Sequence, residues 1–423
     1  YGESNSMFFG LLTGSYDQNT NGGILRKAVS SITDEIETNT GIFKESGSTC
    51  GTGGASSCAK GIIGTINRFH ITSFDYGSQS YSCGWITTRQ MNDGECEMWG
   101  NPLAEMMYEA VRYFSGSTTA TASFTTSSTR DDGVTLPGGG SGLPRITTWS
   151  NPYTATPTTP IPNAGPYPSC SKPFLMLISD VYPSFDSDSV PGTDSNFGSM
   201  AGTTINGAAL NVSTIGQNLW NLEFGGNATS KNIFIGQVGA TDDKAPTPKA
   251  ATTFGNIRGL APSDPTRQGS YYSAGIANFG LVNDLNAVTG NQKLGTYAIA
   301  LSAPLPTIQI PIPSTANTVT IVPFAKSVGG SSISNTQGSF QPTNQIVDFY
   351  VDTIKNTWTK VVGANTLTCG NASTTDLATY VTDCDSTVNG GLPYYKFRIN
   401  FEDVEQGADR KSTRLNSSHG KLS

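Results

Sequence analysis

The sequence predicts an α/β fold built on a mostly parallel sheet with long loop insertions, followed by a β-rich segment. Three observations carry this reading. Phe174 to Ser179, FLMLIS, is a short apolar run with turn-rich flanks, the pattern of a strand buried on both faces of a parallel sheet. Strand-like and helix-like segments alternate on both sides of it, which implies parallel strands joined by helices. After Pro304 the periodicity changes to two, the mark of half-buried antiparallel strands.

Taken in order, residues 8–12 read as a strand. Beyond the Gly22-Gly23 turn, Ile24, Leu25, Ala28, Val29, Ile32 and Ile36 recur at helical spacing. A Gly/Ser/Thr loop at 41–60 leads into an apolar segment at 62–74. The clearest helix is headed by Asn101 as N-cap, with Pro102 in the first helical position and Glu105 in the favourable first turn. Leu103, Met106, Met107, Ala110, Val111 and Phe114 then line one face, the methionines as core filling. Residues 115–170 are rich in Thr, Pro and Gly without periodicity and read as an inserted surface loop or linker.

Beyond the apolar run, a helix is expected at 212–222, a strand at 232–238, a helix at 271–285 and a strand at 296–302. Within 305–408, TVTIVPFAKSV and QIVDFYVDTI are β-branched and aromatic, and Tyr395, Phe397, Ile399 and Phe401 alternate with Lys396, Arg398, Asn400 and Glu402. Residues 409–419, DRKSTRLNSSH, look like a translated sequencing-library adapter, so 409–423 are set aside from fold reasoning as an artefact. Without them the chain has 21 basic and 31 acidic residues, a net charge of −10 rather than −7. The resulting division is 1–114 and 171–304 as two parts of one α/β domain, 115–170 as its inserted loop, and 305–408 as a β-rich connector. Tyr1 enters a strand-like stretch with no initiator Met or signal segment, so the front of the protein is expected to be missing.

Only 13% of residues are charged while Gly, Ser, Thr and Asn abound, a surface suited to secretion or the cell exterior. An acidic chain with no Lys/Arg cluster in its main body argues against nucleic acid or anionic lipid as principal partner. No segment approaches the roughly 20 apolar residues of a membrane span. Six of seven cysteines fall into close pairs, Cys50 with Cys58, Cys83 with Cys96 and Cys369 with Cys384, which read as local disulfides. Zinc is the competing reading, but there is no CxxC and almost no histidine. Cys170 is left unpaired.

Little in the sequence points to catalysis. His70, the one histidine outside the artefact, lies in the apolar segment NRFHITSF, and no P-loop, HExxH, GxSxG or dinucleotide fingerprint is present. Asp186/Asp188 and Asp242/Asp243 are carboxylate pairs of the kind that can hydrolyse glycosides, yet both sit in turn-rich sequence where solvated loop acids are expected. FDSDSVPG fails as an EF-hand because Pro191 stands where Gly is required. Sequons occur at Asn211, Asn227 and Asn371. Asp180, ending the apolar run, is either a ligand group at the carboxyl end of a strand or a cap for the following turn.

CEMWGNPLAEMMYEAVRYF, KPFLMLISDVYPSFDSD, IFIGQVGATDDKAPTPKAATTFGNIRGLAPSDPTRQGSYYSA, SFQPTNQIVDFYVDTI and YKFRINFEDVEQGAD resemble, in that order over nearly all of 1–408, the PilC/PilY family of type IV pilus assembly proteins and tip adhesins. The resemblance implies a von Willebrand factor A-like (Rossmann-like) domain with loop insertions, then β structure leading to a calcium-binding β-propeller that this chain lacks. It also implies a metal-ion-dependent adhesion site for Mg or Ca. Asp180 matches the Asp of that site, and Asn101 falls near its Thr, while the Asp-x-Ser-x-Ser loop is not found. The implied function is non-enzymatic: a secreted factor at the pilus tip that promotes assembly, opposes retraction and adheres to host or abiotic surfaces. Its implied partners are minor pilins and a surface receptor, and it would cross the periplasm and outer membrane in transit. Two alternatives stand beside this, a stand-alone cation-dependent binding module of the factor A type and a secreted glycan hydrolase using Asp186 or Asp242.

Overall fold

The computed structural model divides into two units, Tyr1–Pro304 with Lys326–Pro342, and Leu305–Ala325 with Thr343–Ser423. In the first it describes residues 6–42, 61–69, 74–75, 80–81, 92–95, 97, 100–125, 130–133, 142–156, 164–179, 183–226, 229–260 and 268–301. In the second it describes strands at 308–311, 318–321, 344–355, 359–362, 365–368, 394–403 and 420–421.

The chain begins with an antiparallel pair, β1 (Phe9–Thr13) and β2 (Ile24–Ser30). The helix expected across 24–36 is therefore replaced by a strand and a single 3₁₀ turn at Ile32–Asp34. β-Branched Ile24 and Val29 favour extended backbone, and extension sends the adjacent Arg26 and Lys27 to opposite faces. Each finds its own anions there: Arg26 Nη2 lies 2.8 Å from Asp131, and Lys27 Nζ binds Asp34 at 2.9 Å and Glu35. Glu35 also accepts from the Ile63 N–H at 2.9 Å, fixing α1 (Ile62–Ile66). The short strands β3 (Phe74–Asp75) and β4 (Ser80–Tyr81) pair antiparallel.

The helix foreseen from its apolar stripe is α2 (Leu103–Phe114). It is buried nearly all round, Glu105 and Glu109 included, because each carboxylate is met by donors. Glu109 accepts from the Thr121 N–H at 3.0 Å, the Thr121 hydroxyl, and Arg112 at 3.0 Å. The N-cap position is Pro102, and no side chain caps the helix there.

The stretch read as a surface loop is mostly irregular, with one short helix, α3 (Arg130–Gly133), and a parallel pair of two-residue strands, β5 (Tyr153–Thr154) and β6 (Tyr167–Pro168). Its apolar residues are nonetheless inside: Phe124, Leu143, Trp149, Tyr153 and Tyr167 are all buried. Trp149 joins Leu25 and Tyr113 in a small core, and the Ile146 N–H donates to the Leu25 carbonyl at 2.9 Å. Asn151 and Asn286 exchange side-chain amide bonds, and Asn286 also donates to the Phe114 carbonyl at 2.9 Å.

β7 (Phe174–Ser179) is the apolar run. Next come the hairpin β8 (Thr203–Ile205) and β9 (Ala208–Leu210), turned by Asn206 and Gly207 at positive φ. α4 (Val212–Phe224) follows, capped by the Asn211 side chain accepting from the Thr214 N–H at 2.9 Å and ended by Gly225 at φ +74°. β10 (Lys231–Val238), β11 (Thr241–Ala251) and β12 (Ile257–Leu260) form an antiparallel sheet in the order β11-β10-β12. Pro246 and Pro248 are accommodated because β11 is an edge strand. Trp220, Ile235, Ala251 and Ile257 make the core between this sheet and α4. Gly216 and Gly255 let helix and loop backbones touch there, since a Cβ on Gly255 would stand 2.3 Å from the Ser213 carbonyl oxygen. α5 (Tyr272–Val282) then leads to β13 (Gly295–Ala300), which pairs parallel with β7 from Gly295↔Phe174 to Ala300↔Ser179.

Among the described residues a mostly parallel sheet does not form. Among the described residues two strand pairings are parallel and nine antiparallel. For β10 and β11 the cause is local: Val238 and Thr241 face each other across a two-residue connection, which permits only an antiparallel return. β7 is also not buried on both faces. Leu175 and Leu177 face the main core with residues of α2 and α5, while Phe174, Met176 and Ile178 are exposed. What the described residues share with the expectation is a mixture of helices and small sheets.

The second unit is antiparallel throughout its described pairings, as period two implies. β14 (Ile308–Pro311) pairs with β15 (Thr318–Ile321), and β16 (Asn344–Lys355) with the later strand Tyr394–Asp403. β17 (Thr359–Val362) and β18 (Asn365–Thr368) form a tight hairpin. The Tyr394–Asp403 strand is β19, and β20 (Gly420–Lys421), within the residues set aside above, pairs with its Lys396 and Phe397.

Candidate functional site

The carboxyl end of β7 is where sequence reasoning placed a ligand group. Asp180 itself lies outside the described residues, while Ser179, which precedes it in sequence, is described. Asn101 Nδ2 donates to Ser179 Oγ at 2.8 Å. The Asn101 N–H donates to Ser184 Oγ at 2.9 Å, and the Ser184 N–H returns to the Asn101 carbonyl at 2.9 Å. Asn101 is thus tied to the end of β7 and to the loop after it instead of capping α2 with its side chain.

Behind this edge lies a group of buried acids. Asp186, wholly buried, accepts from the Ser270 N–H at 2.8 Å and the Ala104 N–H at 3.4 Å. It therefore holds the starts of α5 and α2 at once, using the positive end of each helix. Glu105 accepts from the Gly22 N–H and, at 3.1 Å, from the Ser189 N–H. Burial raises the Asp186 carboxyl to about 7. Burial first, then Asp188 and Asp186, push Glu105 well above the usual carboxylate range, and burial also raises Asp188.

Arg258 completes the group. Its Nε donates to Gln237 Oε1 at 2.6 Å, its Nη1 to Ser187 Oγ at 3.4 Å, and its guanidinium lies over the Phe197 ring at 4.5 Å. Burial lowers its pKa against the opposing pull of Asp242 and Asp188. The expectation that Asp186 and Asp188 are solvated loop acids is corrected for Asp186, which is wholly buried, while Asp188 is half-buried. The apolar neighbours Phe185 and Val190 are themselves buried and carry Asp186 inward, where backbone N–H groups receive it. Asp242 is the exposed acid, on β11.

These carboxylates are wired to donors, which is the chemistry of an internal brace. Oxygens already turned to N–H groups are poor ligands for Mg or Ca, which need several free oxygens. Among the described residues no group of three or more His, Cys, Asp or Glu could hold a metal. Asp186, sealed from solvent, is placed to hold helix ends and not to reach a glycosidic bond. The buried Arg26–Asp131 pair was missed by sequence reasoning, because nothing in TTSSTRDDG distinguishes it from a surface loop. Cys170 is exposed and unbridged. Cys50, Cys58, Cys83, Cys96, Cys369, Cys384 and His70 lie outside the described residues.

Residues 9–280 match the family model described as the second domain of PilY1 homologs. The chain belongs to the PilY1 family. Residues 310–374 and 372–413 match the PilY1 β-sandwich model, the region of β14 to β19. A relative from Xylella fastidiosa, named Type IV pilus biogenesis factor PilY1 homolog, is 42% identical over 410 residues, 97% of this chain. The chain spans about a quarter of that relative's length, 25%. No solved structure matches. In PilY1 terms, Asn101, the acid group, β7 and the Arg26–Asp131 pair all fall within the second-domain match, and β13 lies beyond its end.

Proposed function

We propose that the chain is part of a non-enzymatic type IV pilus biogenesis factor, exported to the cell surface, that promotes assembly, opposes retraction and adheres through its exposed loops. The observation that carries this is the match to PilY1 over nearly the whole chain, with a relative named for pilus biogenesis. The geometry suits the role. Arg26, Asp131, Glu105, Glu109 and Asp186 serve as internal braces, and a braced scaffold keeps its shape while loops make contacts. The partners in this reading are minor pilins and a surface receptor; no helix among the described residues is long and apolar enough to cross a membrane. An in-frame deletion of residues 9–280 from the full-length gene tests the reading: surface pili become scarce, and normal piliation overturns it.

A cation-dependent form of the same reading is favoured by one observation. Asn101 is bonded to Ser179 at the carboxyl end of β7, the residue before Asp180 in sequence, and Asn101 and Asp180 are the two positions that the factor A-like resemblance assigns to an adhesion site. Asp180→Ala in the full-length protein then weakens Ca or Mg binding in a calorimetric titration. Equal titrations of the two proteins remove the cation and leave the pilus reading intact.

A further inference from the structure

The outward face of β7 and β13 is an apolar surface of unusual extent. Phe174, Met176, Ile178, Tyr297, Ile299 and Leu301 are each 47–71% exposed, and the parallel register sets them side by side, Met176 beside Tyr297 and Ile178 beside Ile299. The Phe174 and Tyr297 rings are 6.0 Å apart. Among the described residues the two strands pair only with each other, so both outer edges also lack strand partners. Parallel sheets occur with both faces covered, open edges invite pairing, and contiguous exposed apolar patches mark interfaces. Only one face is covered here, by the core that Leu175 and Leu177 share with residues of α2 and α5.

We infer that this face seats the domain that precedes the present residues in the longer protein, which adds strands to the β7–β13 sheet and covers Met176, Ile178 and Ile299. The family model matching residues 9–280 is a second domain, so members of the family carry another before it. The chain is a quarter of its relative's length, which leaves ample polypeptide for that role. The character of the face favours such an occupant over a transient ligand. It is an uninterrupted apolar sheet surface with no charged side chain along Phe174–Ser179 or Gly295–Ala300, like the inside of a domain and unlike the polar rim of a transient interface.

Photo-crosslinking in the full-length protein tests this. p-Benzoylphenylalanine replaces Tyr297 or Phe174, aromatic for aromatic, and the crosslinked peptides are sequenced by mass spectrometry. The same group at Leu222, exposed on α4, is the control. The expected partners are peptides N-terminal to residue 1, with none from the control. Peptides from 305–423, dimers joined face to face, or a different protein overturn the proposal. So does an absence of crosslinks. Met176→Lys supplies a second readout: in the full-length protein it exposes the junction before residue 1 to limited proteolysis, and an unchanged cleavage pattern contradicts the proposal.

Discussion

Arg26→Ala destabilises the first unit by about 3–5 kcal/mol, as removal of one partner from a buried ion pair does. Both members of the Arg26–Asp131 pair have side chains with no exposure, and the guanidinium is fully engaged. Besides Asp131 it donates to Thr13 Oγ1 at 2.9 Å, the Gly14 carbonyl at 2.7 Å and the Pro144 carbonyl at 3.0 Å. Asp131 in turn accepts from the Tyr16 N–H at 3.0 Å, and its own carbonyl receives the Leu143 N–H at 2.8 Å. The pair joins β2 to two parts of the irregular stretch, so its loss frees Leu143 and α3 together. Asp131→Leu alone is similarly costly, because it strands a buried cation. Joined with Arg26→Met it costs less than the sum, since neither charge is left behind. Urea melts of Arg26→Met, Asp131→Leu and the double variant measure the coupling, and strict additivity contradicts the assignment.

The second large effect is on the pH dependence of stability. An exposed aspartate in the unfolded chain loses its proton near pH 4, whereas Asp186 in the folded chain keeps it to about 7. The folded state thus binds more protons between those values, and stability falls as pH rises through that window. The contribution is complete below about pH 4 and lost above about 7. Glu105 and Asp188 shift in the same direction. Asp186→Asn flattens the decline between pH 4 and 7 without abolishing it. It also costs about 1–3 kcal/mol at low pH, because an amide nitrogen replaces an oxygen that faced an N–H. Thermal melts from pH 4 to 8 check this, and parallel profiles for the two proteins would refute it.

Elements with a long apolar stripe or an unbroken apolar run were legible in the sequence. α2, α4, α5, β7, β10 and β13 stand within a few residues of their expected places, and β19 follows its period of two. Segment 24–36 misled because its spacing suits a helix as well as a half-buried strand, and partners distant in sequence decided the matter: Asp131 is 105 residues from Arg26. β11 escaped notice because prolines argue against strands, and only its edge position excuses them. Its omission hid the hairpin and made the sheet look parallel.

The candidate site was legible in part. The strand end at Ser179 followed from the apolar run, whereas the approach of Asn101 was implied only by the family resemblance, since its local pattern read as a helix N-cap. The burial of Asp186 did not, for it depends on N–H donors from Ala104 and Ser270, 82 and 84 residues away. An acid flanked by Phe185 and by Val190 four residues on is the signal that was available, and it is a weak one.

The most direct test of the pilus reading is the number of surface pili in a strain whose full-length protein lacks residues 9–280. It is counted with and without a working retraction motor, after immunoblotting shows that the shortened protein is present. A segment that supports assembly and opposes retraction predicts few pili when the motor works and partial recovery when it is blocked. Wild-type numbers in both backgrounds would contradict the account.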